Sequence, residues 1–229
     1  MKNYGIILGS GTGSRYGSSI PKQFTEISGK TILEHTVEIF EKSEYIDGII
    51  VVIPNEYIEK TANIIKKNQY KKIVKITAGG ETRTQSSSNG VNSLEDAEAN
   101  VLIHDCARPL LSGRLIIDCV KALKKYKAVA VGIPSSDTII KVKNNIIEEI
   151  PKRNELKRIQ TPQCFKLSLI KEAHKLAKSD TAVYTDDCGI VLHYNLCDIF
   201  VVEGDTNNIK ITYPEDFYFA EKYLENHKK

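Results

Sequence analysis

A chain of 229 residues can bury one sizeable core, or one core with a small appendage, and its 41% hydrophobic and 27% charged content is ordinary for a globular protein. A formal net charge of +3 is too small to argue for nucleic-acid or membrane binding, although it suits local handling of anions. No apolar run approaches the roughly 18 residues of a bilayer span, the first residues lack a signal-peptide pattern, and the five cysteines show no C-x-x-C spacing, so the expectation is reduced thiols in a cytoplasmic protein rather than a disulfide framework or zinc site.

Short β-branched runs alternate with amphipathic stretches along the chain. Residues 4–8 read as a buried strand, 32–42 as a helix, 48–53 as a strand and 56–68 as a helix. A strand at 72–77, a helix at 84–94, a strand at 100–104, a helix at 114–126 and a strand at 128–133 follow. This rhythm predicts an α/β fold, a mostly parallel sheet with helices on both faces. In such sheets ligands sit at the carboxyl ends of the strands. The rhythm breaks over 134–163, where 138–143 and 146–150 flank Asn144-Asn145, a hairpin-turn pair. Both segments are polar for a core and predict a β-arm projecting from the sheet, which needs a partner surface to be stable. A helix at 167–177, a strand at 199–203 and a helix at 214–226 complete the pattern. With no internal repeat, the economical account is a single domain, 1–229, with an arm at about 134–163.

Glycines after a first strand let backbone N–H groups approach phosphate oxygens closely. Gly9-Ser10-Gly11-Thr12-Gly13 stands in that place, followed by Arg15 and Lys22, two cations spaced to wrap a polyphosphate. Two other nucleotide motifs fail. The dinucleotide fingerprint G-x-G-x-x-G would need a glycine at Ser14 or Tyr16, and a P-loop ending in Gly29-Lys30-Thr31 would need one at Phe24. Further along, Gly79-Gly80 follow a predicted strand and offer a bare backbone past which a flat base can slide, while Ser86 offers a hydroxyl at a helix start. Asp105 ends an apolar strand. Its carboxylate can hold Mg²⁺ against phosphates, or pair with Arg108 to shape the loop.

The order of these segments resembles the nucleotidyltransferases that activate sugars and polyols, and among them the 2-C-methyl-D-erythritol 4-phosphate cytidylyltransferase family, with ribitol-5-phosphate cytidylyltransferases as close relatives. The resemblance covers nearly the whole chain: G-T-G-S-R-Y-G-S-S-I-P-K-Q-F at 11–24, G-K-T-I-L-E-H-T at 29–36, G-G-E-T-R-T-Q-S at 79–86 and H-D-C-A-R-P at 104–109. It continues through D-T-I-I-K at 137–141, Q-T-P-Q-C-F at 160–165, T-D-D at 185–187, V-E-G-D-T-N-N-I-K-I-T at 202–212 and P-E-D at 214–216. It implies a Rossmann-like sheet of the nucleotide-diphospho-sugar transferase type. It also implies transfer of CMP from CTP to a small polyol phosphate, with Mg²⁺ as cofactor and pyrophosphate released.

By the same resemblance, Gly79, Gly80, Arg83 and Ser86 read the nucleoside, and Asp105 and Asn208 hold the metal. Arg15, Lys22 and Lys210 neutralise the phosphates during transfer. Thr138, Arg153 and Thr161 match positions that grip the polyol phosphate, and the family is a homodimer through the arm, so these three would complete the neighbour's site. His104 is expected to be structural, because a phosphate nucleophile is already ionised near neutral pH and needs no base. The spacing from Arg15 to Lys22 and the form H-D-C-A-R-P favour the methylerythritol acceptor. Ile150-Pro151-x-Arg153 is closer to the ribitol enzymes, and Lys157 replaces the aromatic residue usual between Arg153 and Gln160. A CDP-ribitol or other CDP-polyol product is therefore the alternative, and it turns on the acceptor arm.

Overall fold

The computed structural model describes residues 1–11, 21–96, 98–179 and 181–227. The chain enters through strand β1 (Lys2–Leu8), buried from Tyr4 onward. A small hairpin of β2 (Glu26–Ile27) and β3 (Lys30–Thr31) follows, turning through Ser28 and Gly29 at φ of 50° and 83°. Thr31 then caps helix α1 (Ile32–Lys42): its hydroxyl accepts from the Glu34 amide, and the Glu34 carboxylate accepts from the Thr31 amide at 2.8 Å. The Gly-Lys-Thr that imitates a P-loop ending is thus a turn and a helix cap. Strand β4 (Gly48–Ile53), helix α2 (Ile58–Asn68) and strand β5 (Ile73–Ala78) continue the alternation.

Helix α3 (Arg83–Asn92) carries little apolar surface, yet its Ser86, Ser87, Gly90 and Val91 are buried. Small residues permit this close approach: a Cβ on Gly90 would come within 2.7 Å of the Ile6 side chain. Strand β6 (Ala99–Asp105), helix α4 (Gly113–Ala122) and strand β7 (Ala128–Pro134) lead into the arm, a hairpin of β8 (Lys141–Lys143) and β9 (Ile146–Glu149). Its turn residues Asn144 and Asn145 both have positive φ, as a tight hairpin requires. After the arm come β10 (Lys157–Lys166), α5 (Leu167–Ala177), α6 (Asp187–His193), β11 (Ile199–Glu203) and α7 (Pro214–Asn226).

Among the described residues seven strands form one sheet in the order β11-β7-β10-β6-β1-β4-β5. All neighbours are parallel except β10, which runs antiparallel to both β6 and β7. Alternate residues of each strand feed opposite faces. Ile7, Ile49, Val51 and Ile53 pack with α1, α2, α4 and α7 on one side, while Ile6, Leu8, Ile50 and Val52 pack with α3, α5 and α6 on the other. Each such side chain contributes roughly 1.5–3 kcal/mol on burial. Strands buried on both faces explain the unbroken apolar runs in the sequence.

The arm is shorter than the sequence suggests. The break predicted over 134–163 contains the start of β10, a central strand whose Gln160, Thr161 and Gln163 are buried. Charged Lys157 and Arg158 disguise its beginning. Pro162 falls where the ladder to β7 shifts register between Gln160 and Cys164, a place where a missing donor is tolerated.

Candidate active site

A cavity of 730 Å³ opens at the carboxyl ends of β1, β4, β5 and β6, within the range of about 300–1,000 Å³ usual for small-molecule sites. β1 delivers Gly9, Ser10 and Gly11 to its wall, β5 delivers Gly79 and Gly80, the first turn of α3 delivers Arg83 and Ser86, and β6 delivers Asp105. Lys22 and Lys210 converge on it from distant stretches of chain. Thr12, Gly13 and Arg15 lie outside the described residues.

Ser86 ties two glycine segments together. Its hydroxyl accepts from Ser10 Oγ at 2.6 Å and from the Gly80 amide at 3.0 Å, and donates to the Thr82 carbonyl at 2.9 Å. A Cβ on Gly79 would sit 2.3 Å from the Ser10 Cβ. The bare backbone at Gly79 is therefore needed by the protein's own serines, a role the sequence reading did not foresee.

Asp105 is the electrostatic centre. Its Oδ2 accepts from Lys210 Nζ at 2.8 Å, its Oδ1 from Arg83 Nε at 3.3 Å, and Arg108 Nε stands 3.9 Å away. Burial by itself would raise the Asp105 carboxyl, but the charges of Arg83, Lys210 and Arg108 outweigh it and hold it well below the usual carboxylate range. The Asp–Arg pairing and the cavity-facing carboxylate, which sequence reading offered as alternatives, coexist. Lys22 Nζ donates to the Ile211 carbonyl at 2.5 Å, and the Ile211 amide donates to the Ala107 carbonyl at 2.8 Å, so both lysines are tied to the segment beside Asp105.

Behind this wall runs a relay of neutral groups. The Asp105 amide donates to Thr161 Oγ1 at 3.1 Å, Thr161 Oγ1 lies 3.0 Å from His104 Nδ1, and His104 Nε2 lies 3.1 Å from the Arg108 carbonyl. Burial pushes the His104 imidazole down to about 4, so the ring is neutral; Nε2–H donates to the carbonyl and Nδ1 accepts the Thr161 proton. Fully buried, His104 reaches no cavity surface.

Several expected residues stand elsewhere. Asn208 is fully buried and does not line the cavity; its Nδ2 donates to the Thr161 carbonyl at 2.8 Å and its backbone carbonyl accepts from Arg108. Thr161 stands apart from the other two arm residues, in the sheet. Arg153 Nη2 donates to Thr138 Oγ1 at 2.9 Å, and this exposed pair lies on the arm, away from the chain's own cavity. Sequence reasoning missed Asp187, fully buried and 2.7 Å from Arg83 Nη1. The signal was an Asp186-Asp187 pair before an apolar run, an N-cap pattern: Asp186 Oδ1 accepts from the Gly189 amide at 2.8 Å.

Among the described residues no three metal-ligating side chains cluster. A single ionised carboxylate on a cavity roomy enough for a nucleotide nevertheless suits Mg²⁺, which takes one or two carboxylates and draws its other ligands from water and substrate phosphates. Together these groups can hold and neutralise a triphosphate, which is the work of a nucleotidyltransferase.

Similarity to known proteins narrows the class. The chain belongs to the family described as IspD, 2-C-methyl-D-erythritol 4-phosphate cytidylyltransferase, whose model matches residues 4–226. It is 40% identical to the 2-C-methyl-D-erythritol 4-phosphate cytidylyltransferase of Clostridium novyi, over 99% of this chain and 98% of that one. It is 41% identical, over 98% of its length, to the bifunctional ribulose 5-phosphate reductase/CDP-ribitol pyrophosphorylase Bcs1 of Haemophilus influenzae, of which it spans 48%. Its fold matches the crystal structure of 4-diphosphocytidyl-2C-methyl-D-erythritol synthase from Anaerococcus prevotii with a TM-score of 0.87 at 30% identity, covering 98% of both chains. The family generally uses a divalent cation. Among the described residues no helix is long and apolar enough to cross a membrane.

Proposed function

We propose that this chain transfers CMP from CTP to 2-C-methyl-D-erythritol 4-phosphate, giving the CDP-polyol and pyrophosphate. The observation that carries the reading is the convergence of Lys22, Arg83, Lys210 and Asp105 on one cavity with the Gly9–Gly11 and Gly79–Gly80 backbone. An oxygen of the acceptor phosphate attacks the α-phosphorus, a new P–O–P link forms, and the bond to the β-phosphate breaks as pyrophosphate leaves. No proton need be removed, since the second pKa of a phosphate monoester is about 6. Lys22 and Lys210, together with Arg15, match negative charge as it grows on the α-phosphoryl oxygens and the leaving group. Asp105 would hold Mg²⁺, which supplies charge neutralisation across the phosphates when bound. Asn208 supports that wall from behind through Thr161 and Arg108.

The arm gives the reading its second half. It exposes Ile139, Ile140, Val142, Ile146, Ile147 and Ile150, and a two-stranded hairpin with such a surface is stable only against a partner. We place the partner as a second copy of the chain, with Thr138 and Arg153 gripping the acceptor phosphate in the neighbour's cavity. Ribitol 5-phosphate is the competing acceptor, favoured by the likeness to the CDP-ribitol pyrophosphorylase and by Ile150-Pro151-x-Arg153; Lys157, standing where an aromatic residue is usual, pairs with Glu203 at 2.9 Å. Pyrophosphate release should be measured with CTP, UTP, ATP and GTP against methylerythritol 4-phosphate, ribitol 5-phosphate and glycerol 3-phosphate. CTP with methylerythritol 4-phosphate is expected to give the highest kcat/KM. Silence of CTP with all three acceptors overturns the reading, and preference for ribitol 5-phosphate transfers it to the second acceptor.

A further inference from the structure

The T-D-D segment at 185–187 carries a charge that the transfer reaction does not use. Asp187 opens α6 and is fully buried, and its carboxylate is fixed from several elements at once. Arg83 Nη1 of α3 donates to Oδ2 at 2.7 Å, Ser87 Oγ of α3 donates to Oδ1 at 2.5 Å, and His174 Nε2 of α5 stands 3.3 Å from Oδ1. From β10, Gln163 Oε1 accepts the Asp187 amide at 3.0 Å. Burial opposes ionisation, but Arg83, His174 and Ser87 bring the Asp187 carboxyl down to about 2, so it is an anion in the interior. Buried charge of this kind stabilises little by itself, and its placement points to another use.

That use is read from Arg83, which joins Asp187 to the cavity. One edge of its guanidinium is held by Asp187, while Nε meets Asp105 Oδ1 at 3.3 Å. The third nitrogen, Nη2, is buried and finds no acceptor among the described residues. Arg83 is thus anchored on the far side of the wall, and its hold on Asp105 is limited to one long contact on one oxygen. The other oxygen, Oδ2, has Arg108 Nε at a loose 3.9 Å and carries the short bond to Lys210, a side chain about two-fifths exposed and placed to move toward phosphate.

We propose that Asp187 is a positioning residue for nucleotide–cation binding: by anchoring Arg83 it confines that arginine to Asp105 Oδ1 and leaves Oδ2 to exchange between Lys210 and a phosphate-bound divalent cation. The proposal rests on the reading of the cavity as a CTP site. With Asp187, three cations (Arg83, Arg108 and Lys210) face two carboxylates; with a neutral residue they face Asp105 alone. Arg83 then turns both donors onto Asp105 and competes with the metal, while the cavity loses no attraction for the phosphates themselves.

The test is Asp187→Asn, which keeps shape and removes charge, with CTP binding followed by calorimetry in the presence and absence of Mg²⁺. In the unaltered protein Mg²⁺ should tighten CTP binding. In Asp187→Asn the metal-free affinity should stay within about 3-fold, while the tightening by Mg²⁺ shrinks by about 10-fold or more, the size seen when groups behind a metal ligand are removed. A role in folding alone would lower the melting temperature and reduce both affinities together. A folded Asp187→Asn protein with the full Mg²⁺ effect overturns the proposal. Should that variant not fold, Ser87→Ala removes one of the hydrogen bonds holding the carboxylate and should show the same effect at smaller size; an unchanged Mg²⁺ effect there is equally negative. Failure of the unaltered protein to bind CTP would instead count against the site itself.

Discussion

Lys210 Nζ and Asp105 Oδ2 are 2.8 Å apart, so the cation assigned to the phosphates and the carboxylate assigned to the metal form one ion pair. Arg83 and Arg108 flank the same carboxylate and keep it ionised. On the proposed reading, a metal–nucleotide complex would exchange this pair for two new ones, Lys210 with phosphate and Asp105 with metal.

Separating the two partners should have different signatures. Lys210→Ala is expected to lower kcat by about 10²–10³ with the fold intact, the usual loss for one electrostatic contact in a transition state. Asp105→Asn should lower the rate comparably and also abolish its dependence on Mg²⁺ concentration. Steady-state pyrophosphate release across a metal titration, with circular dichroism as the folding control, distinguishes them.

Lys22→Ala should also lose about 10²–10³ in kcat. Because Lys22 Nζ additionally holds the Ile211 carbonyl, Lys22→Gln should keep more of the thermal stability than alanine while recovering none of the rate. Near-normal turnover in a folded alanine variant would remove Lys22 from the mechanism.

Gly79→Ala should disturb the cavity wall. The new methyl meets Ser10 at 2.3 Å and Ser86 Oγ at 2.9 Å, so the serine pair must separate. Overpacking of this kind typically destabilises by about 1–3 kcal/mol, and KM for CTP should rise with it. Thermal melts and CTP kinetics on the same preparation check both effects.

Acid should act in two stages. The His104 pKa is about 4 when folded against 6.5 for an ordinary imidazole, so the unfolded chain binds the extra proton between those values and stability falls as pH drops from about 6.5 to about 4, by up to about 3 kcal/mol. Asp187, about 2 when folded against 3.8, contributes stability that is present above 3.8 and lost as pH falls toward 2. Urea midpoints from pH 8 to pH 3 should decline through the upper window first. In His104→Gln that upper decline should flatten.

The proposed sharing of the site between subunits can be tested by mixing. Arg153→Ala and Lys210→Ala should each be nearly inactive alone. If the arm completes the neighbour's cavity, a mixed dimer has one intact site, and random reassembly should recover about a quarter of normal activity. Mixtures no more active than their components would place Arg153 outside the neighbour's site.

Much of this could be read in the sequence because it is local. The runs at 32–42, 48–53, 167–177, 199–203 and 214–226 carry their own apolar patterns, and the observed elements share those bounds. Strand β10 was hidden because Lys157, Arg158 and Pro162 are poor strand signals. It is held in the middle of the sheet by β6 and β7, distant in sequence, which override local preference.

The sequence by itself determined the α/β alternation, the glycine segments at strand ends and the family to which they belong, since hydrophobic period and turn chemistry act over a few residues. Tertiary structure decided which charges meet. Arg83 joins Asp105 and Asp187 across 22 and 104 residues, Lys210 reaches Asp105 across 105, and Thr161 leaves the arm for the wall behind the cavity. Electrostatic energy depends on distance in space and on exclusion of water, and both are fixed only when the sheet has brought its strand ends together.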